Sequence, residues 1–569
     1  MKKQPVEARH SAVTTSAAKV RNVWWPAMLS AIALWAAFAP LRWDLLGWIA
    51  PAGWIWLAGR QEVFGRREYV ILWLAGCFFW LATLQGIRLA FWPLYFGWFA
   101  LSLYLAVYVP LSVGLTRLLC QRLKWPFGLS AALAWTAMEQ TRSCLLSGYG
   151  ANLLSHTQAY RPLVIQISDQ IGALGLSFFM ILVLALLVES LTARNMHSKP
   201  IIGRLVIASL VLVGIVLYGK WRIKEADGML ADQPALARVL LIQENTPTMF
   251  EANAKRMEES WLKYLSMTRE AYGKYQPVDM IVWPESTFTN GVPWFELDLS
   301  EGLPDEAKQR GHDTQSLNDF RNERLVEFEA KTRSLLRAVH GTVNETNFEE
   351  PHFILGCDTV EISSHRVGRL NSALFLSPSG ETLDVYHKRH LVMFGEYIPL
   401  GSALAWLGNM FGFENSFAGE EFKIFNVEGV RYATNICFES MVPRFTARQV
   451  RELMGAGQSP DVLVNITNDS WFRGSSMLDH HLATTIFGAV ENRRPVLVAG
   501  NTGLSASIDG AGRVLAVTQR NAGTCILAEP KRDSRVGLVQ IAGYPLAWIA
   551  VVACGIGLGL SRAGFGCQA

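Results

Sequence analysis

Charge is scarce in this chain. Asp, Glu, Lys and Arg make up only 18% of its 569 residues, and half of all residues are hydrophobic. Soluble domains carry about 25% charged residues, so this is not an ordinary soluble enzyme. The formal net charge is only +4, too mild to argue for a nucleic-acid partner. The eight cysteines form no CxxC pair, so their spacing suggests neither a zinc site nor a disulfide framework. A phosphate-binding glycine loop is absent, and so is any internal repeat. No cofactor and no metal are expected.

What the chain has instead is aromatic and apolar bulk. Its 20 Trp and 29 Phe suit a protein that meets lipid. Residues 1–22 are polar and basic (Lys2, Lys3, Arg9, Lys19, Arg21), and an apolar run from Trp24 to Ala39 follows. That order also describes a signal peptide, with Ala37-Phe38-Ala39 as a small-residue cleavage site. Pro40 comes next, however, and further apolar segments follow, so the run reads as an uncleaved first membrane span. More apolar stretches lie near 44–58, 69–86, 89–114, 127–144, 171–190 and 201–218, which makes seven within 23–220. An eighth lies at 538–560. A bilayer span needs about 20 residues. The stretch at 44–58 is the shortest and contains Pro51.

Basic residues concentrate in alternate loops: the N-terminal segment, 59–68 (Arg60, Arg66, Arg67), 115–125 (Arg117, Arg122, Lys124) and 191–200 (Arg194, Lys199). The positive-inside rule places these in the cytoplasm. Seven spans then put residues 233–534 on the opposite side, the periplasm of a bacterium, and the eighth returns a short cytoplasmic tail, 561–569. The loop at 141–170, with Arg142 and Arg161, reads equally as a substrate entrance or as a packed connector.

Residues 233–534 change character. Short β-rich runs appear at Val239–Gln243, Met280–Trp283, Phe353–Leu355, Ala373–Leu376, Val462–Ile466 and Val496–Ala499. Helical patterns intervene at 250–270 and 475–492. Unalternating apolar strands separated by helices indicate a sheet covered by helices, hence an α/β domain. A charged segment around 290–350 reads as an insertion with a surface helix.

Three turn-like sites in this domain present reactive groups. In Trp283-Pro284-Glu285 a strand is stopped by proline and followed by a carboxylate. In Tyr386-His387-Lys388-Arg389-His390-Leu391-Val392-Met393-Phe394-Gly395-Glu396 a basic cluster precedes an apolar turn. In Ile436-Cys437-Phe438-Glu439 a strand ends in a thiol. Alone, each has a bland reading: an exposed strand-end carboxylate, a basic surface loop, a buried core thiol. Together they provide a mechanism, in which a carboxylate takes the thiol proton, an ammonium stabilises an oxyanion and a thiolate attacks a carbonyl. His480 and His481, beside Asp479, have no partner at ligand spacing and read as helix surface or as filling an amide-bonded structural role.

In these contexts and this order, Glu285, Lys388 and Cys437 resemble the Glu-Lys-Cys triad of the carbon–nitrogen hydrolase (nitrilase) superfamily. With the flanking apolar spans, the whole chain resembles the apolipoprotein N-acyltransferases. The likeness is densest in the Trp283-Pro284-Glu285 segment, His390 to Pro399, Cys437-Phe438-Glu439, Asp461 to Phe472, Glu491 to Pro495 and Asp169 to Phe178. It implies a polytopic α-helical membrane protein with an inserted αββα nitrilase-like domain. By resemblance, Glu285 is the general base, Lys388 the oxyanion stabiliser and Cys437 the nucleophile. Glu396, Glu439 and Phe438 support them. The implied donor is a phospholipid and the implied acceptor a diacylated apolipoprotein, met by a monomer in the bacterial inner membrane. The chain departs from the family at Phe438 (usually Tyr), Met393 (usually Pro) and Glu244 (usually Gly). The rivals are a membrane-tethered amidase that releases product to water, and a transporter or inactive scaffold. Spans almost without charge argue against an ion pathway.

Overall fold

The computed structural model describes residues 22–193, 199–247, 254–288, 292–309, 311, 313–340, 350–364, 366–399 and 415–563. The basic segment read at 1–22 therefore lies outside the described residues except for its last, as do 564–569 of the tail and 289–291, 310, 312 and 341–349 of the insertion.

Among the described residues, the α/β part is built from thirteen strands in two sheets. The first sheet runs β13 (Thr524–Ala528), β1 (Val239–Gln243), β2 (Met280–Trp283), β4 (His352–Ser363), β5 (Val367–Leu376), β6 (Thr382–His387), and β3 (Trp294–Asp298) adds to β4. The second runs β12 (Val514–Val517), β11 (Ala506–Ile508), β10 (Val496–Gly500), β9 (Val462–Thr467), β8 (Val430–Ile436), β7 (Phe425–Val427). In each sheet the central strands are parallel: β1, β2 and β4 in one, β8, β9 and β10 in the other. Parallel strands are covered on both faces, which is why these read as apolar runs without alternation. The β7–β8 hairpin turns through Glu428 and Gly429, both at positive φ (50° and 82°), as a two-residue hairpin requires.

Alternate residues on each strand serve different layers. Val464 and Ile466 of β9 pack with Val282, Phe375 and Tyr432 between the two sheets. The outer face of the first sheet is covered by the helices Ala254–Tyr275 and Thr314–His340. Leu463 of β9, with Val496 and Val498 of β10, faces outward into the helices Pro443–Gly455 and Met477–Asn492, and that core continues without a break into the apolar helical bundle. The layers are thus helix, sheet, sheet, helix, and then the bundle.

Among the described residues, four helices are long and apolar enough to cross a membrane: Leu94–Arg122, Ser168–Leu191, Pro200–Leu230 and Pro545–Arg562. Trp24–Ala37 is a shorter apolar helix. The stretch at 44–58 is not one continuous helix. It is a 3-10 turn, Asp44–Trp48, and an eight-residue helix, Ala52–Gly59, which reaches only about 12 Å. The stretch at 538–560 is likewise divided, because Gly543 at φ 72° separates a five-residue helix from Pro545–Arg562. Nor are the apolar stretches as free of charge as they read. Glu139 and Arg142 lie inside the helix Phe127–Cys144, both buried. Arg142 donates to the carbonyls of Tyr149, Ala151 and Asn152 at 2.8–2.9 Å, and Glu139 accepts from the Leu154 N–H at 2.8 Å. Both side chains supply the hydrogen bonds that a buried irregular loop lacks.

A second buried charge cluster joins the bundle to the α/β part. Asp169, fully buried, pairs with Arg493 at 2.6 Å and Arg222 at 2.7 Å. Arg493 also donates to the Gln166 side chain at 2.6 Å and to its carbonyl at 3.0 Å. Replacing Asp169 with Ala leaves two buried guanidinium groups short of a partner. The expected loss is about 3–5 kcal/mol, read as a lower thermal midpoint in detergent. Removing Glu189, which pairs with Arg204 at the surface, is expected to cost less than about 1 kcal/mol.

Candidate active site

The three reactive residues come from strand ends at one side of the two sheets. β2 ends at Trp283, and Pro284 turns the chain so that Glu285 sits over the strand end. A Cβ at position 356 would lie 2.2 Å from the Pro284 carbonyl oxygen, so the glycine in β4 is what lets this turn pack down. Lys388 directly follows β6, and Cys437 directly follows β8. The three segments, far apart in sequence, thus converge. The outer side of carboxyl strand ends is where open α/β sheets place their sites.

Lys388 is 1% exposed. Its Nζ donates to Glu396 Oε1 at 2.8 Å and Glu285 Oε1 at 3.3 Å. Burial works against its charge, but Glu285 and Glu396 outweigh that and raise its pKa. It is a fixed cation, and so a charge stabiliser rather than a base. Asn371, in the middle of β5, bridges the same two carboxylates, donating to Glu285 Oε1 at 2.7 Å and Glu396 Oε1 at 3.2 Å. The remaining oxygens accept from backbone: Glu285 Oε2 from the Asn468 N–H at 2.9 Å, Glu396 Oε2 from the Val392 N–H at 2.8 Å.

Cys437 is half-buried and opens the 3-10 turn Cys437–Met441 with φ +53°. A non-glycine residue in that region costs about 1–2 kcal/mol, so its surroundings must impose it. It is not the core thiol that an apolar run would suggest; Cys357 and Cys554 fill that role. Burial, and then the Glu285 charge, push the Cys437 thiol well above its ordinary range, against the pull of Lys388. The resting thiol is therefore protonated near neutrality and needs a base to become a nucleophile.

Glu439 ties the segments together. It is fully buried and takes the N–H groups of Ile436, Arg389 and His390 at 2.7–3.1 Å, with the Tyr386 hydroxyl on both oxygens at 2.9–3.0 Å. One carboxylate thus fixes the residue before Cys437 and the two residues after Lys388. Burial pushes it up to about 7, against those backbone donors. Phe438 stacks on His390 with ring centroids 5.8 Å apart. The departure at Glu244 is accommodated by an ion pair, for this buried side chain meets Lys263 at 2.6 Å.

The 141–170 segment packs and also borders the site. The Ser147 and Tyr397 hydroxyls are 2.5 Å apart, and Gly150 packs against Pro443 and the Met441 carbonyl. Leu145, Leu146 and Phe394 nearby are exposed. His480 and His481 are both buried, not on a helix surface. His481 hydrogen-bonds Asp469 and Ser440 beneath the turn Cys437–Met441. Asn371 and Gly356 went unnoticed in the sequence. The signal for Asn371 was a lone amide in the apolar strand Leu370-Asn371-Ser372-Ala373-Leu374-Phe375-Leu376.

Two family models match the chain: the apolipoprotein N-acyltransferase N-terminal domain over residues 30–186, and carbon-nitrogen hydrolase over 241–535. The α/β part therefore has the nitrilase-like fold. Among curated relatives, the apolipoprotein N-acyltransferase of Rhodopirellula baltica is 30% identical over 508 residues, covering 85% of this chain and 88% of the relative. That of Geobacter metallireducens is 27% identical over 554 residues, covering 94% of each.

The Glu439 geometry generates a sharp expectation. Glu439→Gln replaces one acceptor oxygen with an amide that points its own hydrogens at an N–H or hydroxyl. We expect about 2 kcal/mol lower stability by thermal unfolding, together with loss of acyl-enzyme formation measured by intact mass. Unchanged values for both would remove Glu439 from its tying role.

Proposed function

This chain belongs to the apolipoprotein N-acyltransferase family, and from that premise we propose that it transfers an acyl chain from a phospholipid to the α-amino group of a diacylglyceryl-cysteine at a lipoprotein N-terminus. The observation that carries the reading is the buried Lys388 cation clamped between two carboxylates beside a strained, half-buried cysteine.

Glu285 takes the thiol proton as Cys437 Sγ attacks the ester carbonyl of the phospholipid. The oxyanion is met by Lys388 and by the Phe438 backbone N–H. The tetrahedral intermediate collapses, the ester C–O bond breaks and Glu285 protonates the departing lysophospholipid oxygen. A thioester on Cys437 remains. The acceptor amine, with a reference pKa of about 7.7–8, is partly neutral near neutrality. It attacks the thioester, Glu285 takes its proton, and the released thiolate recovers a proton from Glu285. Glu396 and Asn371 hold Lys388 and Glu285 in register through both halves, and Glu439 and Phe438 shape the nucleophile turn.

Transfer must outrun hydrolysis, so the thioester needs apolar cover. The shared core between the second sheet and the bundle supports that, as do the exposed Leu145, Leu146 and Phe394 beside the Ser147–Tyr397 contact. We place the apolar helices of 23–220 and 538–560 in the bacterial inner membrane and the 233–534 domain on its periplasmic side, on the strength of the basic alternate loops. The protein acts as a monomer on membrane lipids, without nucleic acid.

Two measurements test the reading. In cells depleted of their own lipoprotein N-acyltransferase, the wild-type chain is expected to restore N-acylation and Cys437→Ala to fail; restoration by the Ala variant would sink the nucleophile assignment. With purified protein and phospholipid, mass spectrometry is expected to find a thioester on Cys437, and Glu285→Gln to slow its formation by about 10²–10⁴-fold. Release of free fatty acid in place of transfer would point to the hydrolase.

A further inference from the structure

Beneath the nucleophile turn lies a buried polar network that the mechanism above does not use. Ser440, His481, Asp469 and Asn465 are each 7% exposed or less. Ser440 Oγ lies 2.7 Å from His481 Nε2 and 3.1 Å from the Cys437 carbonyl oxygen, and it accepts from Asn465 Nδ2 at 2.8 Å. His481 Nδ1 lies 3.2 Å from Asp469 Oδ1, which also accepts from the Thr467 hydroxyl at 3.1 Å. The members come from the nucleophile turn, from β9 and the turn after it, and from the helix Met477–Asn492. None of this was visible in the spacing of the sequence.

Counting protons shows what the network does. An ionised Asp469 only accepts, so His481 Nδ1 carries the hydrogen between them, and a neutral imidazole then presents a lone pair at Nε2. Ser440 has one hydroxyl proton and two acceptors within reach, Nε2 and the Cys437 carbonyl. Asn465 occupies the Oγ lone pair from the other side. Given to Nε2, the nearer acceptor at 2.7 Å, that proton ties Ser440, itself part of the turn Cys437–Met441, to the helix Met477–Asn492, and this hydroxyl then has no second hydrogen for the Cys437 carbonyl. That carbonyl belongs to the residue at φ +53°, a conformation kept only where the surroundings over-determine it. The turn after β9, which carries Asp469, also carries Asn468, whose N–H donates to Glu285 Oε2 at 2.9 Å. Nucleophile and base are attached to the two ends of one network.

We propose that Ser440 and His481 are positioning residues for acylation of Cys437: His481, oriented by Asp469, orients the Ser440 hydroxyl, which holds the nucleophile turn in its strained conformation. The inference rests on Cys437 being the nucleophile. Ser440 touches no substrate in this scheme. Its oxygen is enclosed by His481, Asn465 and the Cys437 carbonyl.

The test is single-turnover acylation of the full-length protein in detergent micelles, with a defined phosphatidylethanolamine as donor and intact mass as readout. Ser440→Ala is expected to acylate about tenfold more slowly, the loss of one hydrogen bond from the reacting geometry, with the half-saturating donor concentration unchanged within about twofold. His481→Leu is expected to show the same slowing. His481→Gln, which keeps an amide toward Ser440, is expected to stay within about threefold of wild type. Acylation of Ser440→Ala at the wild-type rate would overturn the proposal, as would equal slowing in His481→Gln and His481→Leu, since packing alone would then account for the effect. Should Ser440→Ala not fold, the His481 pair decides. Failure of the wild-type protein to form a Cys437 thioester, or acylation that persists in Cys437→Ala, would instead overturn the nucleophile reading itself.

Discussion

A lysine ammonium that is 1% exposed is the constraint on which the site depends. An ammonium that deep cannot stay charged without partners, and two carboxylates supply them. Those carboxylates would repel each other without the lysine between them. Asn371 and two backbone N–H groups then satisfy the oxygens that the lysine does not reach. The result is a set of charges whose positions are mutually required. The charge is thus in place before any substrate arrives, which is what electrostatic stabilisation of an oxyanion needs.

The neighbouring thiol obeys the opposite logic. It is neutral at rest because burial and Glu285 disfavour its charge more than Lys388 favours it. In the proposed mechanism the thiolate therefore forms only as Glu285 takes the proton, at the moment of attack. Glu439 joins the two halves. It holds backbone on both sides of the gap, so the lysine turn and the cysteine turn cannot drift apart independently. The second sheet shares its core with the apolar bundle, and the Asp169–Arg493–Arg222 cluster fixes that junction. The site thereby stands at a defined place relative to the apolar helices, a geometry suited to a lipid substrate.

Much of this was legible in residue order. Val239–Gln243 and Met280–Trp283 could be read as strands to the residue, because parallel strands buried on both faces leave unbroken apolar runs. Glu285, Lys388 and Cys437 were legible because each sits where a run stops at a turn. β3, β11 and β12 were not, since short or half-covered strands leave weak patterns. The helical stretches failed in a different way. Asp44–Trp48 and Ala52–Gly59 are two short elements within one apolar run, and hydropathy does not register the break between them. Arg142 looked like a loop charge, yet its role as a buried donor to three carbonyls exists only once the loop folds back over it.

By itself, then, the sequence determined which chemistry is present: an apolar chain with one α/β insert, a carboxylate, an ammonium and a thiol at strand ends. These follow from local composition and periodicity, and neighbours along the chain suffice to express them. Tertiary structure alone decided what holds that chemistry in place. Asn371 between two carboxylates, Glu439 across two turns, and Ser440 with His481 under Cys437 are contacts over tens of residues. Each depends on strand order and register, and no local pattern carries that information.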